Sequence, residues 1–227
     1  MALNDSQRAA IRGKFEAFVR RRLAGATRLD VTELRPNPFL VDILIRGLGF
    51  DRAEQVATFI VNQRFERGAV TSMGTTLQDV ARIVAGPESG SGTDGADLEV
   101  HRDGVRYFVQ VKSGPVTINK DIASEISRDL NSARQRYGGN SVAILGVCYG
   151  TDLEVNPIGR GILTERGVRI LAGAEFWDFL SNDKGTMDEI QSIARETAQS
   201  TAGVLTEALR RQVDALTPII REQQGLP

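Results

Sequence analysis

The side chains best suited to chemistry fall on two short strands predicted within residues 97–112. Asp97 begins the first strand, and Gln110 and Lys112 close the second. The Asp103-Gly104 pair between two apolar runs is a strong signal for a tight hairpin turn. Side chains two apart on a strand share a face, so Gln110 and Lys112 point the same way. A carboxylate, an amide oxygen and an amine gathered at one end of a hairpin could seat a divalent cation and hydrolyse a phosphodiester.

Each of these residues also has an ordinary structural interpretation. An aspartate near the start of a strand commonly caps a turn, and a lysine at a strand end is usually solvated. Gln110 could be a polar residue on a sheet edge. The residues alone leave both interpretations open.

A longer ordered pattern surrounds the hairpin. The order Asp, spacer, then Gln-x-Lys resembles the PD-(D/E)XK nuclease superfamily. Over roughly residues 35–185 the chain is similar to type II restriction endonucleases of the PmeII kind. The segments that carry this resemblance are Pro36-Asn-Pro-Phe39, Gly74-Thr-Thr-Leu-Gln78, Gly104-Val-Arg-Tyr107, Lys112-Ser-Gly-Pro115, Cys148-Tyr-Gly150 and Gly173-Ala-Glu-Phe-Trp177.

The resemblance implies a Mg²⁺-dependent endonuclease acting on double-stranded DNA, with Mn²⁺ as a possible substitute. By position, Asp97 matches the metal-binding aspartate and Lys112 the catalytic lysine. Gln110 stands where the superfamily most often has Glu or Asp. Gln78, on a predicted helix, stands where many members carry a helical Glu. The backbone carbonyl of Val111 is a further candidate metal ligand, because Mg²⁺ prefers oxygen.

Two glutamines therefore replace carboxylates, which removes negative charge from the predicted metal site. Glu99 lies two residues beyond Asp97, on the same face of the strand, and is a hypothetical source of the missing carboxylate. The segment after Lys112 leads away from the predicted site into a helix, so it is a natural place for DNA contacts. The candidates there are Ser113, Thr117, Asn119 and Lys120.

Composition narrows the class of protein. The chain has 227 residues, 41% of them hydrophobic, which suits one substantial globular domain with helical extensions. One cysteine, Cys148, excludes an intramolecular disulfide and a cysteine-cluster zinc site. One histidine, His101, argues against a histidine-rich metal site and most Ser-His-Asp hydrolases. No apolar run is long enough to span a membrane and the first residues lack an apolar signal core, so we expect a cytoplasmic enzyme without membrane contact.

The charge is unevenly distributed. The formal net charge is −1, yet residues 1–71 hold 12 Lys and Arg against 8 Asp and Glu. Local basic patches set phosphate affinity more than total charge does. The basic run Arg20-Arg21-Arg22 could contact DNA, or it could be a solvated helix face.

Periodicity predicts an α/β fold. We expect a restriction-endonuclease-like core with a central mixed β-sheet flanked by helices, plus helical N- and C-terminal regions. The predicted boundaries are 1–71 for an N-terminal region serving DNA contact or dimerisation, 72–185 for the catalytic core and 186–227 for a C-terminal extension. Breaks are predicted at residues 35–38 and in the Gly-rich loop 86–95. Helices are predicted over 4–24, 39–45, 51–64, 75–84, 119–137, 175–180 and 187–223, the last as one helix or two.

The C-terminal helices carry an apolar stripe that could pack on the same domain or form half of a homodimer interface. A homodimer would bring two active sites to a twofold-symmetric DNA site. Three functions stay open. The first is a sequence-specific type II restriction endonuclease paired with a cognate DNA methyltransferase. The second is another PD-(D/E)XK nuclease, acting in repair or on modified DNA, and the third is a DNA-binding protein whose catalytic site has decayed.

Overall fold

In a computed structural model, the described residues are 3–28, 30–31, 34, 37–89, 94–200 and 203–227. Their chain order is three helices, a hairpin, and then alternating helices and strands ending in three helices. The helices are α1 (Asp5–Thr27), α2 (Pro38–Leu48), α3 (Ala53–Ala85), α4 (Lys120–Tyr137), α5 (Pro157–Glu165), α6 (Ala174–Ser181), α7 (Thr186–Ser200) and α8 (Val204–Gln224). The strands are β1 (Leu98–Arg102), β2 (Val105–Lys112), β3 (Ser141–Val147) and β4 (Val168–Ala172). Part of the break predicted at 35–38, and residues 90–93 of the predicted Gly-rich loop, lie outside the described residues.

The four strands form one mixed sheet in the order β1-β2-β3-β4. β1 and β2 are antiparallel, whereas β2, β3 and β4 run parallel to one another. Asp103 and Gly104 join the hairpin with φ angles of 51° and 74°. Positive φ at both turn residues matches the twist of the flanking strands. The predicted α/β fold with a central mixed sheet and helical N- and C-terminal regions is confirmed.

The chain divides into two compact units, each built from two stretches of sequence. The first unit comprises the chain up to Phe15 and residues Met73–Arg195, and it contains the whole sheet. The second comprises Glu16–Ser72 and Glu196–Pro227, and it is helical. The helices α1, α3 and α7 each contribute to both units.

Both faces of the sheet are covered by apolar side chains. On one face, Val109 and Val111 pack with residues of α1, α3, α6 and α7. On the other, Phe108 and Leu145 pack with residues of α4 and α5. Burial on both faces explains why β3 is a nearly continuous apolar run in the sequence.

The helical unit has its own core. Val56 and Val61 of α3 pack with Leu216 and Ile220 of α8. The apolar stripe of the C-terminal helices is therefore buried within the protomer, as one of the two predicted alternatives. None of the described helices combines the length and apolarity needed to cross a bilayer.

Two element predictions were wrong. The helices predicted over 51–64 and 75–84 are one continuous helix, α3. The helix α5 was not predicted, although Asn156 caps it and Pro157 occupies its first turn. That pair is a recognised helix-start signal and could have revealed it.

Candidate active site

The end of the hairpin away from its turn brings several predicted site residues together. Leu98 lies opposite Val109 in the β1–β2 register, and the backbone N–H of Asp97 donates to the Val109 carbonyl at 2.8 Å. Extending this register by one residue sets Asp97 opposite Gln110. Directly opposed side chains in an antiparallel pair share a face, so Asp97, Gln110 and Lys112 lie on the same side of the sheet.

The Asp97 carboxylate has a structural partner. Its Oδ2 accepts a hydrogen bond from the backbone N–H of Val111 at 2.8 Å. That N–H lies where β1 has ended, so the carboxylate replaces the missing strand as acceptor. Asp97 thus performs the capping role that the sequence left open. No second hydrogen bond to this carboxylate occurs within the described ranges, so Oδ1 is available to a ligand.

The Val111 carbonyl points to the same open edge. It accepts a hydrogen bond from Nε2 of Gln78 at 3.2 Å. A carbonyl oxygen has two lone pairs, so one is left for another partner. Gln78 is in α3, 33 residues from Val111, and the fold brings it to the predicted site as an amide donor.

Gln110 carries the least expected feature of the site. Its Oε1 is buried and has no hydrogen-bond partner. An unsatisfied buried acceptor typically costs about 1–3 kcal/mol, so such atoms in folded proteins call for an explanation. A bound cation would supply the missing partner.

Metal chemistry here would rest on a mixed donor set. Among the described residues, no three His, Cys, Asp or Glu side chains gather into a metal-binding cluster. The candidate oxygens at this end of the hairpin are those of the Asp97 carboxylate, the Val111 carbonyl and the unpartnered Gln110 amide. Three oxygens of which only one is charged suit Mg²⁺, which keeps several of its own waters.

Lys112 lies at the last position of β2 and is partly buried. No ion pair or hydrogen bond of its ammonium group occurs in the portion of the chain described. Its backbone carbonyl accepts from the N–H of Cys148, which ties the end of β2 to β3. The backbone at the end of β2 is therefore held by β3. The Lys112 ammonium group can still donate hydrogen bonds to a ligand.

The Glu99 carboxylate, in contrast to the Lys112 ammonium group, is paired with other side chains. Its Oε1 lies 3.1 Å from Nε of Arg106 and 2.8 Å from Nε2 of His101. These partners draw the carboxylate toward the turn end of the hairpin. The positive charge of Arg106 offsets the negative charge of Glu99. The Glu99 carboxylate is therefore engaged at the turn end of the hairpin and not beside Asp97.

The residues predicted to contact DNA follow β2 in a short loop. Ser113 is half-buried, whereas Thr117, Asn119 and Lys120 are exposed. Thr117 Oγ1 donates to the Gly114 carbonyl at 3.2 Å, and Asn119 Oδ1 caps α4 by accepting from the Ile122 N–H at 3.0 Å. Lys120 is the first residue of α4 and extends into solvent.

No site role was predicted for a second loop at this edge, which begins after β3. β2 and β3 are parallel, so their carboxyl ends meet at one edge of the sheet, where ligands bind in open α/β sheets. Tyr149 follows β3 and is half-exposed. The preceding Cys148 is buried, which raises the pKa of its thiol to about 12. The strand–helix–strand order of β2, α4 and β3 is typical of a parallel pair, and it is the sequence signal that could have pointed to this loop.

Comparison with known proteins gives one family. The sequence profile of the type II restriction endonuclease EcoO109I matches residues 6–201. This match covers well over half of the 227 residues. No curated protein matches the chain.

Proposed function

The chain belongs to the EcoO109I family of type II restriction endonucleases, and on that premise we propose that it cuts double-stranded DNA at a specific short sequence, using Mg²⁺ held beside Asp97. The single observation that carries the proposal is the unpartnered, buried Oε1 of Gln110, on the same face as Asp97. Family membership supplies the DNA endonuclease class. The metal, the site specificity and the PD-(D/E)XK-type roles of the residues are the proposal.

We assign Asp97, Gln110 and the Val111 carbonyl as the metal ligands, with Mn²⁺ as an alternative ion. Mg²⁺ bound there would polarise the scissile phosphate and make water a stronger nucleophile. Gln78 holds the Val111 carbonyl from α3, so it acts as a positioning residue in this scheme. Gln110 provides an oxygen without charge, which lowers the affinity expected for the ion.

Lys112 provides the positive charge at the reacting phosphate. Its ammonium would orient the attacking water and offset negative charge that develops in the transition state. Its neighbours support this role, since the end of β2 is fixed through Cys148 while the amine keeps its donors.

Substrate contacts are proposed for the loop after β2. Lys120 and Thr117 are exposed and can reach phosphate or base edges. Asn119 keeps its amide NH₂ for DNA because its oxygen caps α4. Ser113 lies next to Lys112 and is assigned to the backbone at the scissile phosphate.

We also propose a homodimer, because cutting both strands of a twofold-symmetric site calls for two active sites. The N-terminal region 1–71 supports this role, since Phe39 and Ile43 of α2 lie one helical turn apart and are exposed. Region 72–185 is assigned to catalysis and 186–227 to packing. A type II enzyme of this kind is expected to act beside a methyltransferase that protects the host DNA.

Incubation with unmodified plasmid and phage DNA in Mg²⁺ tests the proposal, with EDTA and the Asp97→Asn protein as controls. Discrete fragments that vanish in both controls would support it. A smear would favour a nuclease of low specificity, such as one for repair or modified DNA. Intact DNA at every Mg²⁺ and Mn²⁺ concentration would point to a decayed DNA-binding protein.

A further inference from the structure

The carboxyl edge of the sheet exposes large apolar side chains on two loops. Val116, in the loop after β2, is 86% exposed, and Leu153, in the loop after β3, is 73% exposed. Tyr149 and Ile158 are also exposed. We refer to residues 114–119 and 149–158 as the two-loop surface. Single exposed apolar residues are ordinary, but several together on one edge mark an interaction site.

The two loops pack tightly against each other. A Cβ at Gly114 would lie 2.3 Å from ring atoms of Tyr149, so only glycine permits this contact. A Cβ at Gly159, directly after Ile158, would lie 2.9 Å from the Ile118 carbonyl. These contacts join the first loop both to Tyr149 and to the start of α5.

The second loop is also held internally. The Glu154 carboxylate accepts from the backbone N–H of Thr151 at 2.6 Å and from its hydroxyl at 3.2 Å. These bonds fix the short helical turn Asp152–Glu154 that presents Leu153. Apolar groups on a fixed surface lose little conformational entropy on binding, which favours recognition.

We propose that Val116 and Leu153 determine sequence specificity by apolar contact with base edges next to the scissile phosphate. The inference rests on the proposed function. Lys112 ends β2 at the same edge of the sheet as both loops, so a duplex whose phosphate reaches Lys112 would lie beside the two-loop surface. A second protein copy on the same surface would obstruct Lys112. Apolar side chains recognise the thymine methyl group by contact in the major groove.

The test selects bound duplexes from a random pool in Ca²⁺, so its readout does not depend on cleavage. Wild type is compared with Val116→Ala, Leu153→Ala and the double variant. Val116→Thr keeps the shape of valine but replaces one methyl group with a hydroxyl. The matched control is Val204→Ala, at an exposed valine in α8 of the helical unit. Thermal unfolding checks that every variant is folded.

The expected result is a selected motif in the wild type that loses preference at one or more base pairs in the double variant. Discrimination at those positions should fall by about tenfold, while Val204→Ala leaves the motif unchanged. Replacing thymine by deoxyuridine at the affected positions should weaken wild-type binding but not binding by the double variant.

Three results would overturn the inference: an unchanged motif in the double variant, no motif in the wild type, or a shift in oligomeric state in place of DNA preference. The last would assign the surface to contacts between copies of the chain. A wild type that selects a motif but never cuts DNA would overturn the proposed function and leave this inference standing for a DNA-binding protein.

Discussion

The two ends of the β1–β2 hairpin contain similar residue types but use them differently. At the turn end, Glu99 is paired with Arg106 and His101, and Arg106 also lies 4.8 Å above the Tyr137 ring. At the open end, the Lys112 ammonium has no partner in the described parts of the chain. Gln110 there keeps a buried oxygen without a hydrogen bond.

The two ends therefore differ in whether their polar and charged side chains bind one another or are open to a ligand. Paired groups at the turn satisfy one another, so their loss affects folding more than chemistry. The buried Gln110 oxygen at the open end lacks a hydrogen bond and so reduces stability, and folds retain such groups at functional sites. Substitutions at matched positions of the two ends should therefore have opposite patterns of effect.

The largest effect is expected at Asp97, the residue before β1, and Glu99 within β1 provides the comparison. Asp97→Asn should reduce DNA cleavage by about 10³-fold, roughly 4 kcal/mol, because the metal loses its only charged ligand. The fold should persist, since the Asn oxygen can still accept from the Val111 N–H. Initial rates of plasmid cleavage in Mg²⁺ measure the loss. Glu99→Gln is the matched control, and a comparable loss there would show that Glu99 also serves the metal.

The two basic residues of β2 provide the next comparison. Lys112→Met should lower kcat by roughly 10²–10³-fold, as expected when one charge-stabilising donor is removed from a transition state. Arg106→Met should leave kcat within a few-fold but lower the melting temperature, because it breaks the pair with Glu99. Single-turnover cleavage and thermal unfolding distinguish the two. Equal kcat values for both variants would contradict the assignment.

Adding a negative charge at the open end of the hairpin also tests how the two ends differ. Gln110→Glu should tighten Mg²⁺ binding by about tenfold, near 1.4 kcal/mol, because it adds a charged ligand. Without metal the variant should melt below the wild type, since the new carboxylate faces Asp97. Titration calorimetry and melting curves with and without Mg²⁺ measure both changes. Unchanged Mg²⁺ affinity would remove Gln110 from the ligand set.

The smallest effect is expected for Gln78, the α3 residue that donates a hydrogen bond to the Val111 carbonyl. Gln78→Ala removes the hydrogen bond to the Val111 carbonyl and should cost about 1 kcal/mol of unfolding free energy. In a chain of 227 residues this corresponds to a melting temperature lower by about 2–4 °C. Cleavage should fall only a few-fold. Gln135→Ala, on the exposed face of α4, is the control and should match the wild type in both measurements.

The hairpin could be predicted well because its determinants are local. Alternating apolar residues and the Asp103-Gly104 turn define both strands and their register. Register in turn determines which side chains share a face. The prediction that Asp97 and Gln110 lie at one end of the hairpin therefore followed from residues close in sequence.

Features that depend on distant contacts could not be predicted in this way. The gap between the helices predicted over 51–64 and 75–84 contains Gly68, and glycine weakens helices. In the structure a Cβ at Gly68 would lie 2.5 Å from Nη1 of Arg22, so this glycine permits close packing within an unbroken helix. The Gln78–Val111 bond and the Gly114–Tyr149 contact likewise depend on tertiary packing. Tertiary packing also determines which charged side chains of the hairpin are paired and which are not.

The buried Cys148 has a practical consequence for spectroscopy. Maleimides and related probes react with thiolates, and a thiol whose pKa is about 12 is almost entirely protonated at neutral pH. Since it is the only cysteine in the sequence, an introduced surface cysteine would be the sole reactive position. Fluorophores or spin labels could then be attached to the two-loop surface without first removing a native residue whose backbone N–H holds the end of β2.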